Sequence, residues 1–192
     1  MEKIIIGFAG PLASGKDVCR KYILEKYEAD STKFSLVLRD ILTRLYLPIS
    51  RENLQTLSLD LRNRFGSDIL AQVILKDINN SSKEIVIIDG VRRLEDIECF
   101  QGLPGFYLIS VSADPLIRYE RLKARNENAG DAEKTYQNFL ADCDREAEKE
   151  IPAVMKTAKF NIDNNGSFED LYQQLEKIML EIKNLRLSQA HE

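Results

Sequence analysis

The sequence has few of the residues that build disulfide frameworks, zinc sites or histidine-based active sites. Its 192 residues include three cysteines and one histidine. Cys19, Cys99 and Cys143 lie far apart and form no Cys-x-x-Cys pair, which argues against a zinc site or a disulfide framework and favours a reducing cytosol. His191 lies in a polar tail, so a histidine base for catalysis is nearly excluded.

Long apolar runs and a strong charge of one sign are also absent. No apolar run approaches the ~18 residues of a membrane-spanning helix, and the short N-terminal run carries no signal-peptide cleavage site. The 27 basic and 31 acidic side chains give a net charge of −4, which argues against a protein that coats nucleic acid. We expect one cytoplasmic domain over residues 1–192, monomeric or homodimeric, with neither nucleic acid nor membrane as a partner.

Short apolar runs alternate with segments of helical periodicity along the chain. The predicted strands cover 3–9, 32–35, 84–89, 106–111 and 159–163. The predicted helices cover 16–27, 36–46, 51–65, 67–78, 114–126, 131–149 and 168–184. This alternation predicts an α/β fold with a parallel sheet. Because three helices rather than one precede the strand at 84–89, we interpret residues 36–80 as an insertion at one end of the sheet.

The turn after the first strand has the pattern of a phosphate-binding loop. Residues 10–16 read Gly-Pro-Leu-Ala-Ser-Gly-Lys and match G-x-x-x-x-G-K. Small residues let successive N–H groups turn inward around a phosphate, and Lys16 is expected to reach the β- and γ-phosphates. A chance glycine turn is the alternative, but a buried strand precedes this loop and a helix follows it, as the motif requires. The residues predicted to contact the nucleotide here are Gly10, Ala13, Ser14, Gly15, Lys16, Asp17 and Val18.

Two carboxylates are candidate ligands for Mg²⁺. Asp17 follows the loop lysine, where the motif normally has a hydroxyl that touches the metal; a carboxylate there binds the metal directly, binds it through water, or leaves it to other groups. Asp89 ends a buried strand, where a Walker-B carboxylate sits, and the alternative for it is a simple Asp-Gly turn. Since nucleotide phosphoryl transfer nearly always needs Mg²⁺, we expect ATP and Mg²⁺ as cofactors.

Arginines are placed to contact phosphates. Arg92 follows the strand that ends at Asp89, at the edge where open α/β sheets bind ligands. Arg118, Arg121 and Arg125 share one face of a predicted helix. We interpret this row as a lid that stabilises the charge of the transferring phosphoryl group, and the alternative is a solvated stripe paired with acidic neighbours. The polar segment that follows, 126–134, is expected to form the lid tip.

Further candidates lie in the insertion and after the last strand. Arg39 is expected to hold the phosphate of a second substrate, and Arg62 is a second cation on the helices of the insertion. Gln55 either contacts a base or faces water. Asn165 and Gly166 either belong to a simple turn or contact the nucleotide base.

Together these residues make the chain similar, over nearly its whole length, to the P-loop nucleoside monophosphate kinase superfamily. The motifs that resemble deoxynucleoside monophosphate kinases are Gly-Lys-Asp at 15–17, Phe-Ser-x-x-x-Arg at 34–39, Arg-Glu-Asn-Leu-Gln at 51–55 and Leu-Arg at 61–62. The segments that resemble a family related to dephospho-CoA kinases are 88–92 and 106–167.

The resemblance implies a three-layer P-loop NTPase fold. Its five-stranded parallel sheet has the order 2-3-1-4-5, and the chain carries a substrate-binding insertion near 36–80 and a lid near 118–135. The loop at 164–167 lies near the adenine in this picture. The roles that the resemblance implies are ATP phosphates for Lys16, the acceptor's phosphate for Arg39 and Arg92, and lid functions for Arg121 and Arg125.

These features predict an ATP-dependent kinase that transfers the γ-phosphoryl group to a nucleoside or deoxynucleoside monophosphate. Without a usable histidine, only a carboxylate such as Asp17 or Asp89 could act as a base, whereas an ionised phosphate acceptor needs none. One alternative is a dephospho-CoA kinase, whose acceptor is a hydroxyl group. Another is a nucleotide-binding switch or ATPase module that acts through a protein partner.

Overall fold

A computed structural model of the chain describes residues 3–125, 131–144 and 148–189. Its strands are β1 (Ile4–Ala9), β2 (Asp30–Lys33), β3 (Ile85–Asp89), β4 (Phe106–Ser112) and β5 (Phe160–Asp163). They form one parallel sheet in the order β2-β3-β1-β4-β5. This confirms the predicted fold class and strand order. Because β1, β3 and β4 are almost wholly apolar, helices cover both of their faces.

The helices of the described part surround the sheet. They are α1 (Lys16–Lys26), α2 (Phe34–Arg44), α3 (Arg51–Phe65), α4 (Ile69–Asn80), α5 (Glu98–Gln101), α6 (Pro115–Arg125), α7 (Tyr136–Cys143), α8 (Ile151–Lys156) and α9 (Phe168–Gln189). On one face of the sheet, α1 and α9 bury Ile23, Leu175 and Met179 against the strands. On the other face, α2 and α4 bury Leu38 and Ile74. Because the strands are parallel, their carboxyl ends lie at one edge of the sheet, where the loops of the site begin.

The insertion packs on the sheet only in part. Apolar residues of α4 at helical spacing, among them Leu70, Ile74 and Ile78, are buried. In contrast, α3 has no buried residue, although Ser50 caps it by accepting a 3.1 Å hydrogen bond from Asn53 N. The helix α3 therefore lies outermost on this face. In the ranges described here, no helix is both long and apolar enough to cross a membrane.

Two sequence predictions of secondary structure are wrong. The second strand covers 30–33 rather than 32–35, because the helix α2 already begins at Phe34. The predicted helix over 131–149 is interrupted: residues 131–133 form a turn, and α7 begins only at Tyr136, after the capping hydroxyl of Thr135. The turn is stabilised because Lys134 bridges the buried carboxylates of Asp131 and Asp142, a tertiary contact that periodicity cannot show.

Two short helices were not predicted from the sequence, and parts of two predicted segments lie outside the described residues. The short helices α5 and α8 were not predicted, since four and six residues are too few for a helical period to be recognised. Of the predicted lid tip, residues 126–130 lie outside the described part, as do residues 145–147 of the predicted long helix.

Candidate phosphate-binding site

The loop between β1 and α1 depends on small residues because other strands approach it closely. A Cβ at Gly10 would collide with the carbonyl of Val111 in β4 and with the Ser14 hydroxyl. Gly15 has a φ of 108°, which side chains rarely adopt, and a Cβ there would collide with the side-chain amide of Asn164. Ala13 also has a positive φ, of 60°. The backbone therefore turns sharply into the N-terminus of α1, the geometry in which N–H groups surround an anion.

Lys16 lies over this loop. Its ammonium donates to the carbonyls of Gly10 at 2.5 Å and Pro11 at 2.9 Å. Burial lowers its pKa from the ordinary 10.5 to about 8, and the carboxylates of Glu148 and Asp89 oppose that effect. At neutral pH Lys16 is thus mostly charged, and it loses its proton as the pH rises through about 8.

Asn164, at the end of β5, joins the last strand to the loop. The side chain is buried, and its amide nitrogen donates a 2.8 Å hydrogen bond to the carbonyl of Ser14. Its oxygen lies 3.5 Å from a guanidinium nitrogen of Arg121. Asn165 instead accepts from the backbone N–H of Asp114 at 2.7 Å, in a turn. Asn164 is therefore the asparagine that contacts the loop, and nucleotide contacts by Asn165 and Gly166 stay a prediction.

The three arginines of α6 have different environments. Arg118 is buried and donates to the carbonyls of Leu12 and Ala113, each at 3.1 Å. It also lies 5.3 Å from the ring centre of Phe139 in α7. These contacts make Arg118 a support for the loop backbone, unlike the lid function predicted for the whole row.

Arg121 and Arg125 point to the edge of the loop. In the described part of the chain, Nη1 of Arg121 is buried and has no hydrogen-bond partner. Ser14 Oγ, in the loop itself, is buried and unpartnered in the same sense. Arg125 is exposed, and its Nη1 lies 3.8 Å from Asp17 Oδ2. Since buried polar groups are nearly always paired in folded proteins, the two unpartnered groups are suited to a polar ligand.

Asp17 and Asp89 share two cationic neighbours. Lys33 Nζ lies 2.7 Å from Asp89 Oδ2 and 3.8 Å from Asp17 Oδ1. Arg20 lies 3.6 Å from Asp89 and 3.7 Å from Asp17. Sequence reasoning missed Lys33, although the parallel register pairs it with Asp89 in the neighbouring strand. A correctly placed second strand would have shown it.

The two carboxylates fit a magnesium ion. They face one common position, because the same ammonium group contacts both. Mg²⁺ is usually held by one or two carboxylates together with substrate phosphates, so two carboxylates beside a phosphate-binding loop are a suitable donor set. No group of three or more His, Cys, Asp or Glu side chains suited to a metal occurs among the residues that the structure describes. Asp17 and Asp89 as metal ligands therefore stay a prediction.

A further carboxylate, missed in the sequence, lies at the site. Glu148 precedes α8, its side chain is only 10% exposed, and its Oε1 accepts from Arg92 Nη1 at 3.0 Å. Among the charged groups that act on Lys16, Glu148 raises the pKa most, which places it near the loop lysine as well. No sequence signal distinguished it from the other charges of the segment predicted as one long helix.

The remaining predicted residues lie in and next to the insertion. Arg62 binds Asp96 Oδ1 at 2.6 Å; its side chain is 9% exposed, although the residue as a whole is half-buried. The other oxygen of Asp96 accepts from the backbone N–H groups of Arg92 and Arg93. Arg62 thus supports the loop that carries Arg92, and contact with an acceptor stays a prediction for it. Arg39 on α2 and Gln55 on α3 are exposed, and their predicted substrate contacts also stay predictions.

The fold and this site were compared with known proteins. No family model matches the chain. A solved shikimate kinase from Bacteroides thetaiotaomicron superimposes with a TM-score of 0.61 at 13% identity, covering 94% of this chain and 98% of the kinase. A gluconokinase from Sinorhizobium meliloti 1021 gives a TM-score of 0.52 at 12% identity, covering 97% and 99%. At such identities the similarity shows the fold, which is that of P-loop kinases.

The chain also has relatives at the level of sequence. A UPF0200 protein of Methanocaldococcus jannaschii is 32% identical over 183 residues, which cover 94% of this chain and 91% of the relative. A UPF0200 protein of Thermococcus kodakarensis is 29% identical over 187 residues, covering 95% and 98%. The similarity extends over nearly the whole of each protein. The chain therefore belongs to the UPF0200 family.

Proposed function

We propose that this protein is an ATP-dependent kinase that transfers the γ-phosphoryl group to a small, nucleotide-like acceptor. The observation that carries the proposal is the loop at 10–16, where the Lys16 ammonium binds two loop carbonyls directly at the N-terminus of α1. Two buried polar groups have no partner in the described chain: Ser14 Oγ in the loop, and Nη1 of Arg121, whose Nη2 contacts Asn164. The P-loop kinase fold supports the proposal, since its named neighbours are a shikimate kinase and a gluconokinase.

The bound nucleotide is proposed to contact the loop in the order that the motif predicts. Backbone N–H groups of the loop and the α1 N-terminus bind the phosphates, and Lys16 exchanges its two carbonyl contacts for phosphate oxygens. Arg121 and Arg125, at the end of α6, stabilise the negative charge of the transferring group. Asn164 and Arg118 hold the loop in shape from two sides and make no contact with the phosphates.

Asp17 and Asp89 are the residues that would hold Mg²⁺ beside the phosphates. The metal supplies charge neutralisation during phosphoryl transfer. Lys33 and Arg20 lie within salt-bridge distance of both carboxylates, so Mg²⁺ would have to replace or join these cations at the carboxylate oxygens.

Two acceptor classes follow from the chemistry. For a nucleoside or deoxynucleoside monophosphate, we propose that the exposed Arg39 and Arg92 bind the acceptor's phosphate. Its phosphate is already ionised and needs no base. A hydroxyl acceptor, such as the ribose of dephospho-CoA, is supported by one specific observation: the carboxylate of Glu148 lies next to Arg92 and near Lys16.

ADP release from Mg-ATP tests the proposal with a panel of acceptors. The panel holds ribo- and deoxynucleoside monophosphates, nucleosides, dephospho-CoA, shikimate and gluconate. Lys16→Ala is the inactive reference, and Lys21→Ala, an exposed lysine on the same helix, is the matched control. We expect turnover of one acceptor class by the unmodified protein and by the Lys21 variant, and none by the Lys16 variant.

Two outcomes would contradict the kinase. Turnover that survives in the Lys16 variant would show that the loop does not carry the reaction. If no acceptor in the panel causes ADP release although the protein binds ATP, the result would favour a nucleotide-binding switch that acts through a protein partner. The exposed apolar segment at 45–49, in which Tyr46 is 89% exposed, would then be the first surface to test.

A further inference from the structure

Three carboxylates border the candidate site, and they differ in their neighbours. Asp89 is bound by Lys33 at 2.7 Å and Asp17 lies within 4 Å of several cations. Both groups are also the ones suited to Mg²⁺. They are therefore poor general bases.

Glu148 has a different environment. Arg92 binds its Oε1 at 3.0 Å, and no other residue of the described ranges binds its Oε2. The side chain of Glu148 is 10% exposed, so most of it is shielded from water while a small part remains accessible. One oxygen is thus held by Arg92, while the other has no contact within the described ranges.

The position of Glu148 is set by a chain of contacts that begins in the insertion. Arg62 binds Asp96 at 2.6 Å, and Asp96 accepts from Arg92 N at 3.0 Å. Arg92 in turn binds Glu148. Arg62 and Asp96 are nearly buried and hold the backbone of Arg92 in place, and the Arg92 side chain that extends from there to Glu148 is 48% exposed.

Arg92 was expected to bind the phosphate of the acceptor, and the structure pairs it with a carboxylate instead. A second phosphate at Arg92 would have to approach the negative charge of Glu148. A neutral hydroxyl group has no such repulsion, and it needs the base that a phosphate does not need. The ion pair therefore favours an alcohol over a phosphate as the acceptor.

We propose that Glu148 is the general base of this kinase and that the acceptor is a hydroxyl compound; the inference rests on the proposed kinase function. The acceptor oxygen forms a bond to the γ-phosphorus while the bond from that phosphorus to the β,γ-bridging oxygen breaks. ADP leaves with the electron pair of the broken bond. The hydroxyl proton goes to Glu148 and afterwards to solvent. Arg92 acts as a positioning residue in this step.

The variant Glu148→Gln tests the base, because it removes the proton acceptor and keeps the size of the side chain. With the hydroxyl compound that the panel identifies, we expect kcat to fall by about 10²–10⁴-fold, the usual contribution of a general base. ATP affinity, measured by calorimetric titration, is expected to stay unchanged. Glu150→Gln, two residues along the chain, is the matched control and should keep full kcat.

A second variant covers the case in which Glu148→Gln does not fold. Glu148→Asp keeps the charge and the pairing with Arg92 but withdraws the oxygen by about one methylene group. We expect kcat to fall by roughly 10²-fold at unchanged ATP affinity, because misplacement by ~1 Å is enough for such a loss. Unaltered kcat in either folded variant overturns the inference.

The outcomes separate this inference from the kinase proposal. Turnover of nucleoside monophosphates alone keeps the kinase and overturns the hydroxyl acceptor. Tighter ATP binding by Glu148→Gln with undiminished kcat would show that Glu148 competes with phosphate instead of acting as a base. Absence of turnover with every acceptor overturns both proposals.

Discussion

The side-chain amide of Asn164 donates a 2.8 Å hydrogen bond to the carbonyl of Ser14, and this bond ties the end of β5 to the phosphate-binding loop. The two residues are separated by 150 positions in the chain. Asn164 is buried, so no water replaces the bond. The shape of the loop therefore depends on the last strand of the sheet as well as on its own glycines.

Replacement of Asn164 by Ala should destabilise the protein and weaken nucleotide binding together. Loss of a bond to a buried carbonyl costs about 1–3 kcal/mol. We expect a lower free energy of unfolding in urea titrations and a weaker ATP affinity in calorimetry. Asn184→Ala, at an exposed asparagine on α9, is the control and should change ATP affinity little. Equal ATP affinity in both variants would contradict the role of Asn164.

Gly15→Ala should abolish ATP binding. The methyl group would collide with the Asn164 amide at a backbone φ of 108° that alanine rarely adopts. Gly102→Ala is the matched control, because nothing lies within 4 Å of a Cβ there and the φ is −85°. Binding of a fluorescent ATP analogue distinguishes the two. Retained affinity in the Gly15 variant would show that the loop geometry is not needed.

ATP affinity should decrease as the pH rises above about 8. The pKa of Lys16 is lowered to about 8 in the free protein by burial, and a bound phosphate raises it again. Below pH 8 the lysine carries its proton in both states, so affinity is constant; above pH 8 binding must first recover the proton. Each further pH unit then weakens binding by up to about tenfold, until the pKa of the complex is reached.

Calorimetric titration between pH 7.5 and 9.5 measures this effect, and Lys16→Met should bind weakly without the same slope. A constant affinity of the unmodified protein over that range would contradict the role of Lys16.

Replacement of Arg118 by Leu should lower the free energy of unfolding, because Arg118 binds backbone carbonyls of the protein itself. The variant leaves the carbonyls of Leu12 and Ala113 without their donor and removes the stacking on Phe139. We expect a loss of roughly 2–4 kcal/mol in the free energy of unfolding, as for other buried hydrogen-bonded charges. Glu120→Ala, exposed on the same helix, is the control. An unchanged Tm for the Leu variant would contradict the structural role of Arg118 and favour the lid function predicted from the sequence.

The local parts of the molecule could be predicted from the sequence. β1, its loop and α1 lie within one stretch of chain, where an apolar run, small residues and helical spacing follow one another. The strand order needed the resemblance to P-loop kinases, because periodicity shows that strands exist but not which strands are neighbours. Gly15 is an example of a feature that local sequence predicts, because the loop motif itself requires a glycine where the backbone has a positive φ.

Other parts of the site depend on contacts between distant segments. Lys33 meets Asp89 through the register of β2 and β3, and Glu148 meets Arg92 across 56 residues. Arg118 lies on the predicted face of its helix. However, it is buried against Phe139 of α7 and binds the loop backbone at Leu12, and the sequence pattern did not predict either contact. Such pairings have no periodic signal in the chain.

The amino-acid sequence alone determined the glycine-rich loop at 10–16 and the alternation of strands and helices, because these depend on neighbouring residues. The tertiary structure alone decided which charges face one another: Lys33 with the two aspartates, Arg62 with Asp96, and Arg92 with Glu148. Electrostatic interactions depend on distance in space, and only the folded chain defines that distance.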